Sequence, residues 1–420
     1  MHRLIAAILV AASCARIAQA QNTPPVEAGA TLDLEQALSM AGASAPSLDV
    51  AKADLRAAAA AHTVAGLRPN PEITVDAENV AGSGSYRGTK SVETTATIGL
   101  PIELGGKRSA RIGVADARSR RVAVQAAIAQ ADLRFAVTQA YAAAAAAQQR
   151  LVTARDQARI AAEGLRAANV RVEAGRASPI EVQRSDVARV NAEAEVERAQ
   201  RLAEVSRFSL SKLIGQPVSG MFNVSWFSDV RSVYGPLAAI DSADTLAMAA
   251  AEADLAIADA GVRLARSQRV PDVTVGAGTR YMRETGDTAA VFSLTIPFPL
   301  FNNGKAALAQ ASSERLRTEA QKRVTAIEVD QAIARAQVDT ANAATSAATA
   351  QGPALAAAEE AARIARIGYR EGKFGQLELL DAERTLAETR IGAVEALLNY
   401  HNAQAWLERL TVRAPDLQGN

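Results

Sequence analysis

The chain has 420 residues, 49% of them hydrophobic but only 4% aromatic, a balance that describes long alanine-rich helices rather than several compact aromatic cores. Its net charge of +1 leaves no basic face of the size nucleic acid demands, so a nucleic-acid partner is excluded.

The chain starts "MHRLIAAILVAASCARIAQAQN", with His2 and Arg3, an apolar run from Leu4 to Ala12 and a small-x-small site at Ala18-Gln19-Ala20. That pattern predicts an export signal over residues 1–20. The single cysteine, Cys14, lies inside it and has two readings: a lipid acceptor after "AAS", or a residue lost with the signal. Ala11, standing where a lipid site wants a larger aliphatic residue, favours loss. The mature chain then has no thiol for a disulfide or a thiolate metal site. Further on there is no apolar run of about 18 residues, so no membrane-spanning helix is expected. Export without one leaves a periplasmic, secreted or β-barrel protein.

A first plan occupies residues 21–214: helix, strand pair over 71–102, long helix, turn at 172–182, helix. In the strand pair Ile73, Val75 and Ala77 alternate with Glu72, Thr74, Asp76 and Glu78, and Val92 to Ile102 alternates with Glu93, Thr95, Thr97 and Gly99. "AGSGSYRGTK" joins the two as a turn. From Lys107 to Ala174 no proline intervenes, enough helix to span ~100 Å, and a helix that long must pack against others. Residues 215–244 bring Gly, Pro and the aromatics Phe222, Trp226, Phe227 and Tyr234 together, a connector packed on the helices.

The plan then repeats over 245–412, leaving 413–420 as a tail. "PDVTV" answers "PEITV", "NNGKA" answers "LGGKR", and a second alternating pair is predicted over 271–300. The second long helix carries Gly352-Pro353, which should kink or divide it. "YREGKFGQLEL" at 369–379 repeats "VEAGRASPIEV" at 172–182 with an offset of 369 − 172 = 197 residues, placing Gly372 on Gly175 and Lys373 on Arg176. Glycine suits a turn position that a larger residue would strain. The last helix carries a three-four stripe through Leu379, Ala382, Leu386, Ala393, Tyr400 and Leu407, with a second stripe beside it, as in a wall of packed helices.

Two hairpins with one apolar and one polar face match a half-buried soluble sheet or membrane β-strands. Four strands cannot close a membrane barrel alone, since lipid tolerates no open edge; if these enter a membrane, several chains must share one barrel.

Together, the doubled plan, the strand pairs, the two turns and "LGGKR" resemble the TolC-like outer membrane efflux protein family, from about Leu32 to Val412. "LPIELGGKR" and "IPFPLFNNGKA" further resemble its CzcC-like branch, which serves heavy-metal pumps. The resemblance implies a mainly α fold in which long coiled-coil helices form an α-barrel, with four strands per chain in a shared trimeric twelve-stranded β-barrel. It implies an outer membrane exit duct, a homotrimer with a periplasmic helical tunnel, a periplasmic adaptor and an inner-membrane proton-driven pump as partners, and outer membrane lipid around the barrel. Heavy-metal cations are the expected cargo; organic drugs, or a non-channel periplasmic coiled-coil scaffold, are the alternatives.

By the same resemblance Gly175, Arg176, Gly372 and Lys373 mark the tips where an adaptor docks. Glu378 and Asp381, three apart on one helix face, match an acidic constriction, and Tyr369 matches a gate tyrosine. The 197-residue offset places Glu181 and Arg184 at the counterpart positions, where Arg184 could hold a gate by an ion pair. The other reading of Glu378 and Asp381 is a solvated helix face.

No catalytic constellation or cofactor site emerges. His62 and His401 stand alone, without a second His or Cys at ligand spacing, and read as surface or packing residues. "GGKRS" departs from a phosphate loop at Pro101 and Arg108, so nucleotide binding is rejected.

Overall fold

A computed structural model describes residues 31–231 and 238–415. The export signal, Cys14, Tyr234 and the last residues of the tail lie outside them. In chain order the elements are α1 (Leu34–Ser44), α2 (Pro46–Ala65), β1 (Glu72–Glu78), β2 (Glu93–Ile102), α3 (Lys107–Glu173), α4 (Pro179–Ile214), the short α5 (Val224–Ser228), α6 (Leu246–Ser267), β3 (Val273–Met282), β4 (Asp287–Thr295), α7 (Lys305–Thr349), α8 (Leu355–Arg370) and α9 (Gln376–Leu410). Between α7 and α8 the helix continues through a π turn at Ala350–Ala354 that contains Pro353. The proline thus divides the helix as expected, its missing amide accommodated by the wider turn.

The chain forms two compact units, and each takes stretches from both repeats. One consists of the stretch ending at Ser44, Ala136–Ser232 and Ala343–Asn402; the other of Ala45–Phe135, Val233–Asn342 and the stretch from Ala403.

The second unit carries the strands. Where the sequence predicts two hairpins, the structure has one antiparallel sheet in the order β1-β2-β3-β4. The added seam joins the repeats, Ile102 facing Val273, Leu100 facing Val275 and Ile98 facing Ala277. Directly opposite residues share a face, so the registers collect Ile73, Val75, Ile98, Leu100, Val275, Phe292 and Leu294 on one side. That side is exposed, Ile73 at 76% and Phe292 at 83%. The opposite face is polar: Arg280 bridges Glu93 at 3.1 Å and Glu78 at 3.5 Å.

The expected strand pair 271–300 is too long at its end. β4 stops at Thr295, before Pro297 and Pro299, which have no amide to give a ladder. Residues 296–301 carry Ile296, Phe298, Leu300 and Phe301, all exposed.

At the foot of the sheet "LGGKR" fastens strand to helix. Lys107 Nζ meets Asp272 at 2.7 Å, and the Leu104 amide donates to the same carboxylate at 3.1 Å. Arg108 donates to the Gly66 carbonyl at 2.6 Å and Arg111 to that of Leu67 at 3.0 Å, satisfying the end of α2. Beside them α3 and α6 pack through Val114, Ala117 and Ala260.

In the first unit the core is largely alanine. Ala358, Ala362 and Leu386 form one contact between α8 and α9, the small side chains letting the helices approach closely. Leu386, Ala393 and Tyr400 of the predicted stripe are buried. An aromatic cluster holds the start of the connector: Tyr141 donates to the Leu32 carbonyl at 2.6 Å and packs edge-on against Phe222 and Trp226. His401, 5% exposed, stacks on Trp226 at 4.2 Å, with Nε2 2.8 Å from the Phe227 carbonyl. It is a packing residue. His62, on α2, lies 3.1 Å from Asp116. No helix of the described residues is long and apolar enough to cross a membrane.

Candidate functional site

The two repeated turns lie within the first unit and close identically. Gly175 and Gly372 have φ of 67° and 70°, the left-handed region glycine enters without strain. At the first turn the Arg176 amide donates to the Arg171 carbonyl at 2.8 Å and Gly175 to Val172 at 2.9 Å. At the second, Lys373 donates to Gly368 at 2.8 Å and Gly372 to Tyr369 at 3.1 Å. These are the paired bonds of a Schellman helix ending. The next helix follows at once, α4 starting on Pro179 with Glu181 in its first turn and α9 on Gln376 with Glu378 there, acids where a helix N-terminus favours negative charge.

The halves differ where side chains meet. The second turn has Gly368 and Phe374 where the first has Arg171 and Ala177. A Cβ on Gly368 would sit 2.2 Å from Phe374 Cδ2, so the ring occupies the space that glycine leaves. Arg171 reaches across to the other hairpin instead. Its guanidinium lies 4.4 Å from the centre of the Tyr369 ring and donates to the Tyr369 carbonyl at 3.2 Å.

Tyr369 is 5% exposed, and its hydroxyl donates to Glu181 Oε2 at 3.3 Å. Burial pushes the phenol above its ordinary range; Arg171 opposes this and Glu181 adds to it. The hydroxyl therefore keeps the proton it donates. Gln376 Nε2 donates to the Glu181 carbonyl at 2.6 Å and to Ser185 Oγ at 2.8 Å, while its Oε1 has no partner among the described residues. One turn into the hairpin, Arg366 makes a two-pronged pair with Glu383, one contact at 2.8 Å. Hydrogen bonding to Glu383, opposed by burial, raises the Arg366 pKa further.

Of the residues singled out in the sequence, Tyr369 and Glu181 are brought together. Glu378 and Asp381 lie exposed on α9. Arg184 is exposed and makes no ion pair among the described residues. Arg176, Lys373 and both turn glycines are exposed at the tips. Sequence reasoning missed Arg171, Gln376 and the Arg366–Glu383 pair; the one available signal was Arg171, an arginine where the repeat has glycine. Among the described residues no group of His, Cys, Asp and Glu could hold a metal.

A family model described as outer membrane efflux protein matches residues 37–216 and 242–412. The cobalt-zinc-cadmium resistance protein CzcC of Cupriavidus metallidurans is 32% identical over 401 residues, covering 93% of this chain and 92% of that protein. The nickel and cobalt resistance protein CnrC of the same organism is 32% identical over 315 residues, 74% of this chain and 73% of CnrC. Among solved structures, CusC superposes with a TM-score of 0.75 at 16% identity, covering 94% of this chain and 96% of that one. The outer membrane protein VceC of Vibrio cholerae gives 0.71 at 20% identity, covering 90% and 96%. The structural likenesses show the fold: long helices with a four-stranded antiparallel sheet, as in TolC-like outer membrane channels. Matched across both repeats and by a relative along nearly its whole length, the chain belongs to the outer membrane efflux protein family, whose members are transport channels of the outer membrane and not enzymes.

Proposed function

We propose that this protein is the exit duct of a tripartite efflux system that expels heavy-metal cations. One observation carries the cargo: the 32% identity along 93% of the chain is to a protein named for cobalt, zinc and cadmium resistance. In this reading two repeats, residues 21–214 and 245–412, flank the connector 215–244. Three copies share one barrel. In support, β1 and β4 end the sheet with open edges, which lipid does not tolerate, and the apolar face is exposed as a lipid-facing surface is.

The helices of three copies continue as a tunnel across the periplasm, with an adaptor at the tips around Gly175, Arg176, Gly372 and Lys373. Glu378 and Asp381 of all copies ring the constriction and favour cations over anions. Tyr369, held by Arg171 and Glu181, fastens the two hairpins of each copy in the closed state. An inner-membrane proton-driven pump supplies the energy, the duct itself being passive. The test is a deletion strain plated on graded zinc, cobalt, cadmium and nickel and on organic dyes. Sensitivity to metals, reversed by the intact gene, is the expected result; sensitivity to dyes alone would overturn the metal reading.

A further inference from the structure

We propose that the barrel seam between copies repeats the seam inside the chain: β4 and the segment after it pair with β1 of a neighbouring copy, and Lys305 of one copy meets Glu72 of the next. The proposal rests on the shared barrel proposed above and specifies how it closes.

The repeat supplies the geometry. "LPIELGGK" (100–107) aligns with "FPLFNNGK" (298–305) without a gap, placing Pro299 on Pro101, Gly304 on Gly106 and Lys305 on Lys107. "PEITV" aligns with "PDVTV", placing Glu72 on Asp272. Thus β4 with its extension is the repeat of β2, and β1 is the repeat of β3. The chain already contains the β2–β3 seam, with Ile102 facing Val273, Leu100 facing Val275, Ile98 facing Ala277 and Pro101 facing Thr274. Carried over, Leu300 faces Ile73, Phe298 faces Val75, Ile296 faces Ala77 and Pro299 faces Thr74 of the neighbouring copy.

Three observations agree with this register. Each of its three odd-numbered β1 positions meets an apolar residue on one face, whereas a slip by one residue would set Ile73 against Pro299 and turn the apolar set to the other side. The residues that would meet across the seam lie open in the single chain: Ile73 is 76% exposed, Val75 65%, Phe298 85% and Leu300 68%. Charge is complementary at the foot. Inside the chain Lys107 and Asp272 pair at 2.7 Å; their repeats Lys305 and Glu72 are both exposed and no ion pair engages them among the described residues. Gly304, with φ of 72°, makes the same left-handed step before the lysine as Gly106 at 71°. In the single chain the Leu300 amide closes a tight turn on the Phe298 carbonyl at 2.9 Å, a bond that extension into the seam would break.

Cysteine pairs test the register in the full-length protein in outer membranes. Val75→Cys with Phe298→Cys places Cβ atoms directly opposite, within disulfide reach, while Val75→Cys with Leu300→Cys sets them on a diagonal too long for one. The first pair should convert the boiled protein into a reductant-sensitive trimer, and the second should leave it monomeric, as should the parent. Cross-linking by the second pair but not the first would overturn the register. For the ion pair, Lys305→Glu and Glu72→Lys should each lower the temperature at which the unboiled trimer dissociates, and the double reversal should restore it. Silent single reversals, or a double variant weaker than either, would overturn the contact. A parent that runs as a monomer without boiling would overturn the shared barrel and the seam together, whereas a stable parent trimer with the wrong cross-link defeats the seam alone.

Discussion

Replacing Gly368 by alanine probes the tip where its two halves differ. In a mid-helix position alanine is favoured over glycine by about 1 kcal/mol. Here the new Cβ would lie 2.2 Å from Phe374 Cδ2 and 2.7 Å from Cγ and Cε2, so the ring must leave its seat. Phe374 is 40% exposed; a fully buried phenylalanine contributes about 1.5–3 kcal/mol, and this partly covered one about 1–2 kcal/mol. Gly368→Ala alone should therefore destabilise the tip by no more than about 1 kcal/mol, gain and loss nearly cancelling. Phe374→Ala should weaken the tip by about 1–2 kcal/mol in the parent and by almost nothing once Gly368 is alanine, a coupling of similar size.

Hydrogen exchange at the Lys373 amide reads this locally, since that amide donates to the Gly368 carbonyl at 2.8 Å. Phe374→Ala should speed its exchange about tenfold in the parent and less than about twofold in the Gly368→Ala background. Equal acceleration in both backgrounds would refute the account of Gly368 as the seat of the ring.

Three further outcomes are expected. Tyr369→Phe removes the 3.3 Å bond to Glu181 while keeping the ring under Arg171, and should raise the open probability in planar bilayers; Glu181→Gln should do likewise, and the double variant should add little. Glu378→Gln with Asp381→Asn should reduce cation preference in the same bilayers, and an unchanged reversal potential would remove both from the constriction. His401 gives a pH signature: burial holds its imidazole below the ordinary range, opposed by the hydrogen bond to the Phe227 carbonyl and by Asp229. The unfolded chain then binds the proton more readily, so this group's contribution is complete above about pH 6.5 and declines as the pH falls toward the folded value. Melting curves from pH 8 to 5 should show a steeper acid loss for the parent than for His401→Gln, and parallel curves would contradict the burial argument.

Much of the fold is legible in the sequence because its signals are local. Alternation marks the strands, Pro353 marks the π turn, and Gly175 and Gly372 mark turns that need positive φ. What the sequence leaves open is non-local. Alternation says which side of β2 is apolar but not that β2 pairs with β3, about 170 residues away. The same alternation runs on through Ile296 and Phe298, although the ladder ends at Thr295, before Pro297 and Pro299. At the candidate site, motif matching groups Tyr369 with Glu378 and Asp381. The fold buries the tyrosine against Arg171 and Glu181 and leaves the two carboxylates exposed, a division that depends on which helix faces meet. His401 reads as a lone histidine until the connector folds Trp226 and Phe227 over it.

The most direct test of the central claim, that this chain supplies one third of an outer membrane barrel, is density fractionation of cell envelopes with the fractions run on gels with and without boiling. Outer membrane density and a heat-dissociable band at about three times the monomer mass are the expected result, the barrel requiring more strands than one chain provides. A monomer in the soluble periplasmic fraction would contradict it and return the four strands to an ordinary soluble sheet.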